Sequence, residues 1–369
     1  MNNKQIKIGF LGLGLIGGSV AKALQKKLNC NVCIYAYDID EASLKIAKDN
    51  QTIYAYHTTL DSFPIEEMDI IFLCAPVGNN VSNLKSIAKR IPPHCIITDV
   101  GSVKGEIRNA IDSLNLSGHF IGGHPMAGSE KTGFANASDI LLENAYYILT
   151  PDASIPKDML DTFISIIKAT GALPIVMTEK EHDYVVAGIS HLPHVISATL
   201  VNLVKDSDTK DAFMHRIAAG GFKDITRISS SSPVMWEQIC LENKDNIIHL
   251  LNSYIDKLNV FKETLAISNA DNINSFFSSA RDYRDTFSEQ TKGPIQQVYR
   301  VYADIPDVPG VIARISTLLA NHNINIKNIG IVNNREFEKG ALRIEFYDYD
   351  SLHKASYVLQ NANYNITLP

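Results

Sequence analysis

Several features are scarce in this chain, and each scarcity removes a class of function. No apolar run approaches the roughly 18 residues that a membrane-crossing helix needs, and no segment concentrates lysine and arginine. With a formal charge of -6, nucleic acid and anionic membrane surfaces are not expected partners. The opening MNNKQIKIGF enters an apolar strand at once, so no signal peptide is expected and the cytoplasm is the expected compartment. Cysteine is sparse and odd in number: Cys30, Cys33, Cys74, Cys95 and Cys240 are scattered, which argues against a disulfide framework. Cys30 and Cys33 have C-x-x-C spacing but lead into a predicted strand rather than a helix, the wrong setting for a redox or zinc pair.

What remains is an ordinary globular composition, 45% hydrophobic with mean hydropathy near zero. A chain of 369 residues has room for two or three domains.

The stretch from Ile6 to Asp38 organises the first of them. It reads as a strand (Ile6 to Leu11), a glycine-rich turn, a helix to about Lys27, and a second strand (Val32 to Tyr37) closed by Asp38. Gly12, Gly14 and Gly17 make G-x-G-x-x-G, and Asp38 follows about 20 residues on, as a dinucleotide fingerprint requires. Gly12 permits a sharp turn, Gly14 lets backbone approach a pyrophosphate, and Gly17 allows close packing of helix on strand. The first helical N–H groups, at Leu15 and Ile16, would face the phosphates with the positive end of the helix dipole. A carboxylate at Asp38 accepts ribose hydroxyls and repels a 2′-phosphate, and no Arg or Lys stands in Ile39 to Ser43. NAD is therefore the expected cofactor.

Further apolar runs alternate with helices: Glu41 to Asp49, a strand near Ile53, Asp69 to Pro76, Ile96 to Asp99, Tyr146 to Leu149 and Leu173 to Val176. This alternation predicts a Rossmann-type, doubly wound α/β sheet over residues 1–178, with ligands at the carboxyl ends of its strands. Ala75 and Pro76, Asp99 to Ser102 and the segment after Phe120 should then surround a nicotinamide. From 179 to 291 strand signals vanish and helical patterns take over (Glu181 to Val204, Ala212 to Ala219, Val234 to Leu241, Lys244 to Ala266, Ile273 to Glu289). Their apolar faces need partners, which predicts an all-helical domain that forms a homodimer. Beyond a linker at Thr291 to Pro294, residues 297–369 read as βαββαβ, a ferredoxin-like unit. Its D-x-P-G (Asp307 to Gly310) before the first helix and N-I-N-I after it resemble the ACT domain, an amino-acid-sensing module.

The most informative stretch for chemistry is Gly122-Gly-His-Pro-Met-Ala-Gly-Ser-Glu130, a histidine held by glycines at a strand end and thus near the cofactor. With Asp99-Val-Gly-Ser-Val-Lys104, Ser190-His-Leu-Pro-His194 and Gly220-Gly-Phe-Lys-Asp-Ile-Thr-Arg227, it resembles the prephenate dehydrogenases over nearly the whole chain. The resemblance implies NAD-dependent oxidative decarboxylation of prephenate to 4-hydroxyphenylpyruvate, on the way to tyrosine. Such a reaction needs orientation of substrate against cofactor and removal of the hydroxyl proton, with no metal. By resemblance His124 is the base, an imidazole of ordinary pKa ~6.5 suiting that role, and Ser102 bridges it to substrate and nicotinamide. Arg227 would take the ring carboxylate as a bidentate donor, flanked by Glu130 and Asp224. His194, Ser190 and Ser129, the last where relatives often carry threonine, would face the substrate side chain. Gly220 and Trp236 correspond to groups that relatives bring across the dimer interface, and Lys223 would add positive potential at the mouth. His191 and His194 are spaced i, i+3, yet no acid or cysteine accompanies them at matching spacing, so no metal is expected.

Arogenate, which differs from prephenate in carrying an amino acid in place of the keto acid, is a second substrate that these residues could serve. A non-catalytic NAD- and amino-acid-binding regulator is the reading from another class; intact His124, Ser102 and Arg227 argue against it. A β-hydroxyacid dehydrogenase would be expected to carry a lysine on the first long helix of the second domain, where this chain has His191 and His194. L-Tyrosine, the end product of the pathway, is the expected ligand of the C-terminal module, bound beside Asp307 to Gly310 with Asn321 to Asn325 opposite.

Overall fold

In a computed structural model, the described residues are 5–128, 131–289, 299–306, 308–332 and 340–368. The chain forms two compact units, Met1–Ala266 and Ile267–Pro369.

The first unit begins with β1 (Ile6–Leu11), α1 (Leu15–Leu28), β2 (Val32–Tyr37), α2 (Glu41–Asp49), β3 (Ala55–His57), β4 (Ile70–Leu73), α3 (Val77–Ile87), β5 (Ile96–Asp99) and α4 (Gly105–Ser113). Its strands form a parallel sheet in the order β3-β2-β1-β4-β5. The period of two along each strand sorts side chains onto two buried faces. Ile8, Phe10, Ile70, Phe72 and Ile96 enter one core with Val20, Ala21 and Leu24 of α1. Leu11, Ile71, Leu73 and Ile97 enter the other, under Leu84 and Ile87 of α3 and Ile107 and Ile111 of α4.

The sheet continues through β6 (Ile121–Pro125), β7 (Tyr146–Pro151), α5 (Lys157–Ala169) and β8 (Leu173–Val176). A single parallel bridge, Ile97 to Phe120, links β5 to the start of this part. β6 and β7 are antiparallel, whereas β7 and β8 are parallel. This is the one departure from the parallel, doubly wound order expected of the region. Among its described residues, the segment between β6 and β7 has no long helix to carry a crossover, and the chain returns in the reverse direction. Between β7 and β8, α5 provides the crossover and packs Phe163, Ile166 and Ile167 into the first core.

A capping box at Thr178 starts α6 (Glu179–Val186), with the Thr178 side chain accepting from the Glu181 N–H. A π turn over Ala187–His191 follows, then α7 (Leu192–Ser207). Together they make one helical stretch, Glu179–Ser207, long and apolar enough by length and composition to cross a membrane. Its polar groups instead face the chemistry described below. The unit ends with α8 (Phe213–Ile217), α9 (Gly220–Thr226), α10 (Pro233–Glu242) and α11 (Lys244–Ala266). Leu203, Ile217, Ile225, Val234, Leu241 and Val260 are among the exposed apolar side chains of this region. Exposed apolar side chains of this kind are what the expected homodimer of the helical region would cover.

In the second unit α12 (Ala270–Glu289) precedes β9 (Tyr299–Ile305), α13 (Val311–Asn321), β10 (Asn328–Val332), β11 (Gly340–Phe346), α14 (Tyr349–Asn361) and β12 (Ile366–Thr367). The sheet order is β10-β11-β9-β12, all antiparallel. Val301, Leu342, Ile344 and Phe346 pack against Val311, Ile315 and Leu319 of α13 and Leu359 of α14. Gly310 enters α13 with φ 84°, a conformation in which glycine carries no steric penalty. Asp307 and the linker at Thr291 to Pro294 lie outside the described residues.

Phe72 is fully buried, stacked on Phe10 at 4.8 Å and touching the Phe163 ring at 5.9 Å. Phe72→Ala should cost about 3–5 kcal/mol, the range for emptying an aromatic core site, read as a lowered urea midpoint. A loss under about 1 kcal/mol would show that this core repacks freely.

Candidate active site

The nucleotide end is built by close approach. Gly12 has φ 99°, and a Cβ there would stand 2.5 Å from the Ala75 nitrogen. Only glycine lets the end of β1 and the end of β4 touch in this way. At Gly14 a Cβ would meet nothing within 4 Å, which leaves room for a ligand at the start of α1. The Asp38 carboxylate accepts from the Leu13 N–H at 2.6 Å and the Asp40 N–H at 2.9 Å, which fixes it at the end of β2. Across the cleft, Asn80 accepts from the Ala75 N–H and donates to the Leu73 carbonyl, bracing the Ala75-Pro76 turn. Open space, orphan helix N–H groups and a fixed ribose-seeking acid fit a dinucleotide.

A charge held out of water joins this end to His124. Lys104 is fully buried, and its Nζ donates to Asp99 Oδ2 and, at 2.6 Å, to the Gly123 carbonyl. Asp99 Oδ1 accepts in turn from the Gly123 N–H at 3.0 Å. Gly122 and Gly123 have no freedom to carry side chains here. A Cβ on Gly123 would lie 2.5 Å from the Asp99 carbonyl, and one on Gly122 would lie 2.2 Å from Thr150 Oγ1. The glycine pair before His124 thus exists because β5, Lys104 and β7 crowd β6. Ser102 lies on the loop after β5, next to Gly101, whose N–H is held by Asp99 Oδ2.

His124 contacts a second imidazole, and two more stand further along the same helical stretch. Its Nδ1 lies 2.8 Å from His182 Nε2, with the rings edge to face, and His182 Nδ1 lies 2.7 Å from Asp183 Oδ1. His191, on the π turn, has its Nδ1 3.1 Å from Asn243 Nδ2 and its ring edge against Trp236. His194 donates from Nδ1 to the Ser190 carbonyl at 2.9 Å and stacks on Trp236 at 3.9 Å. Burial holds His124 well below its usual pKa, assisted by the Lys104 ammonium and by His182 and His191. Burial likewise lowers His191 to about 4. It lowers His194 too, where the Arg227 guanidinium adds to the effect and the Ser190 carbonyl opposes it. His124, His191 and His194 are thereby all biased toward their uncharged forms.

This arrangement brings together His124, Ser190, His194, Trp236 and Arg227 within one chain. Trp236, a group that relatives bring across a dimer interface, here stacks on the His194 of its own chain. Gly220, Lys223 and Asp224 lie on the exposed helix α9, which ends at Arg227. Ser129 and Glu130 lie outside the described residues.

Sequence reasoning missed Lys104, His182, Asp183 and Asn243. Lys104 closes Asp99-Val-Gly-Ser-Val-Lys104, but nothing in that spacing marks an ammonium as buried. His182 and His191 are nine residues apart, about 900° of α-helix and so on opposite faces. The π turn between them widens the helix and lets both serve one site.

Residues 20–176 match the family model of the prephenate dehydrogenase nucleotide-binding domain, 178–279 that of its dimerization domain, and 299–331 the ACT domain. The chain is 38% identical over 365 residues to the prephenate dehydrogenase of Bacillus subtilis, covering 98% of this chain and 97% of that one. The chain belongs to the prephenate dehydrogenase family. A crystal structure of the prephenate dehydrogenase from Aquifex aeolicus, with hydroxyphenyl propionate and NAD+, aligns with TM-score 0.72 at 30% identity, over 78% of this chain and 100% of that one. The Synechocystis arogenate dehydrogenase aligns with TM-score 0.69 at 28% identity, over 76% and 100%. The nucleotide-binding match of this prephenate dehydrogenase family runs from within α1 to β8, and the dimerization match from α6 into α12.

Glu242, at the end of α10, generates a pH prediction. Burial pushes its carboxyl up to about 7, with Glu106 and Asp183 adding to the effect and Lys104 opposing it. Between about 4.5 and 7 the folded chain therefore binds more protons than the unfolded one, so this group's contribution falls as pH rises through that window. Glu242→Gln should raise Tm at pH 8 and leave it unchanged at pH 4.5. A variant less stable than wild type at pH 8 would contradict this.

Proposed function

We propose that this chain catalyses the NAD-dependent oxidative decarboxylation of prephenate to 4-hydroxyphenylpyruvate. The observation that carries the reading is a desolvated, neutral imidazole, His124, fixed at a strand end beside a dinucleotide cleft. When bound, NAD accepts the hydride from C4 of the substrate.

The rest of the work belongs to the protein. Gly12, Gly14 and Gly17 with the N–H groups of Leu15 and Ile16 cradle the pyrophosphate, Asp38 accepts the ribose hydroxyls, and Ala75 and Pro76 wall the nicotinamide. His124 takes the proton of the C4 hydroxyl through its ring nitrogen while the carboxyl carbon–ring bond breaks and its electrons aromatise the ring. Because burial lowers its pKa, the base stays unprotonated well below pH 6.5. Ser102 orients this ring and the substrate. Arg227 pairs with the ring carboxylate, Asp224 and Glu130 restrain the guanidinium, and Lys223 draws the dianion in. Ser190, His194 and Ser129 receive the side chain, and Gly220 and Trp236 close the pocket edge. The buried Nε2 of His191 and indole N–H of Trp236 have no hydrogen-bond partner among the described residues, which supports a polar ligand beside them.

The chain is further proposed to divide at 1–178, 179–291 and 297–369, to dimerise through the exposed apolar helices, and to work in the cytoplasm. L-Tyrosine is the proposed effector of the C-terminal module.

Incubation with prephenate and NAD should yield NADH, and the same assay with arogenate reads out substrate preference. His124→Asn should lower kcat at least ~10²-fold, with the acid limb of wild-type kcat/KM lying below pH 6.5. Arg227→Ala should raise KM far more than it lowers kcat. Near-full turnover in His124→Asn would remove that residue from the chemistry. Tyrosine should inhibit the full chain and not one lacking residues 297–369; unchanged inhibition would put the effector in the active site.

A further inference from the structure

Behind His124 lies a chain of hydrogen bonds that determines which of its nitrogens carries the proton. Asp183 is the end with no ambiguity, because an ionised carboxylate only accepts. His182 Nδ1, 2.7 Å from Asp183 Oδ1, must therefore be protonated. The His182 ring is fully buried, and its Nδ1 proton by itself satisfies the Asp183 carboxylate, so the ring needs no second proton. Neutral His182 then presents a bare Nε2, and His124 Nδ1 at 2.8 Å must be the donor to it. That leaves His124 Nε2 without a proton. The opposite arrangement, with His124 protonated at Nε2, would set two lone pairs against each other at 2.8 Å or require a buried cation at His182.

Both ends of the chain are anchored. Asp183 Oδ1 also accepts the Lys104 N–H at 3.2 Å, and the Asp183 carbonyl accepts from Asn243 Nδ2 at 2.7 Å. Lys104 in turn holds the Gly123 carbonyl, the residue before His124. The carboxylate and the base are thus fixed to one rigid frame from two directions.

We propose that His182 and Asp183 are positioning residues that lock His124 in its Nδ1–H tautomer, leaving Nε2 as the acceptor for the substrate hydroxyl proton. The inference rests on the dehydrogenase reading for its chemistry, though the tautomer itself does not depend on it. On turnover the hydroxyl proton bonds to His124 Nε2 as hydride leaves C4, and it returns to the phenolate oxygen once carbon dioxide has left and its bonding electrons have aromatised the ring. No proton need leave the chain, and the imidazolium so formed is stabilised by the Asp183 carboxylate acting through His182.

The test combines spectroscopy and kinetics. In protein labelled with ¹⁵N-histidine, imidazole ¹H–¹⁵N correlations should show His124 with Nδ1 protonated and Nε2 bare. An Nε2–H tautomer in the wild type would overturn the proposal whether or not the protein turns over prephenate. Asp183→Asn, which admits the wrong tautomer as in other acid–imidazole chains, should lower kcat at least ~10-fold and leave KM for both substrates within about threefold. It should also move the acid limb of kcat/KM to lower pH, because the imidazolium loses its carboxylate. His182→Leu should lose kcat similarly, and His182→Gln, whose amide can accept from His124 and donate to Asp183, should recover part of it. Unchanged kcat and pH profile in Asp183→Asn would overturn the proposal, as would a loss confined to KM. A wild type that shows the Nδ1–H tautomer but makes no NADH would defeat the dehydrogenase reading alone.

Discussion

An ammonium buried between a carboxylate and a main-chain carbonyl is the constraint on which the active-site half of this molecule depends. Lys104 lies wholly out of water and binds Asp99 and the Gly123 carbonyl. Burying such a pair brings little net stability compared with apolar packing, but losing one partner leaves an uncompensated charge at a cost of about 3–5 kcal/mol. What the arrangement supplies is position. It ties the end of β5 to β6 where only glycine can stand, places His124 one residue further on, and depresses the proton affinity of that ring through its charge.

Around this point the fold divides the labour. The parallel sheet supplies a cleft at its carboxyl edge, with Gly12 and the Ala75-Pro76 turn in contact and Asp38 held at a fixed angle. The helical stretch from Glu179 to Ser207 supplies imidazoles, and its π turn lets His182, His191 and His194 face one region despite their spacing. Trp236 stacks on His194 and abuts His191, so α10 braces the rings that the π turn and α7 carry. The cleft could bind a dinucleotide without the helices, but a base of this kind needs both.

Much of this was legible in the sequence because local chemistry forces it. G-x-G-x-x-G with Asp38 at its distance can do little else between two strands, and Ile96 to Asp99, Leu173 to Val176 and Lys244 to Ala266 appear with the bounds their apolar patterns imply. The reversal between β6 and β7 was not legible, since a loop's path leaves no periodicity. His182 and Asp183 were hidden for a different reason. Their role arises from contacts with residues about 60 and 80 positions away in the chain, His124 and Lys104, across a helix whose phase the π turn shifts.

The central claim is that the His124 ring, unprotonated on Nε2, faces the carbon that loses hydride. A crystal structure with NAD+ and a 4-hydroxyphenyl carboxylic acid in place of substrate tests it most directly. His124 Nε2 is expected within about 2.6–3.2 Å of the ligand hydroxyl, with the nicotinamide against the same ring carbon. A His124 ring turned away from the ligand, with another side chain on that hydroxyl, would contradict it.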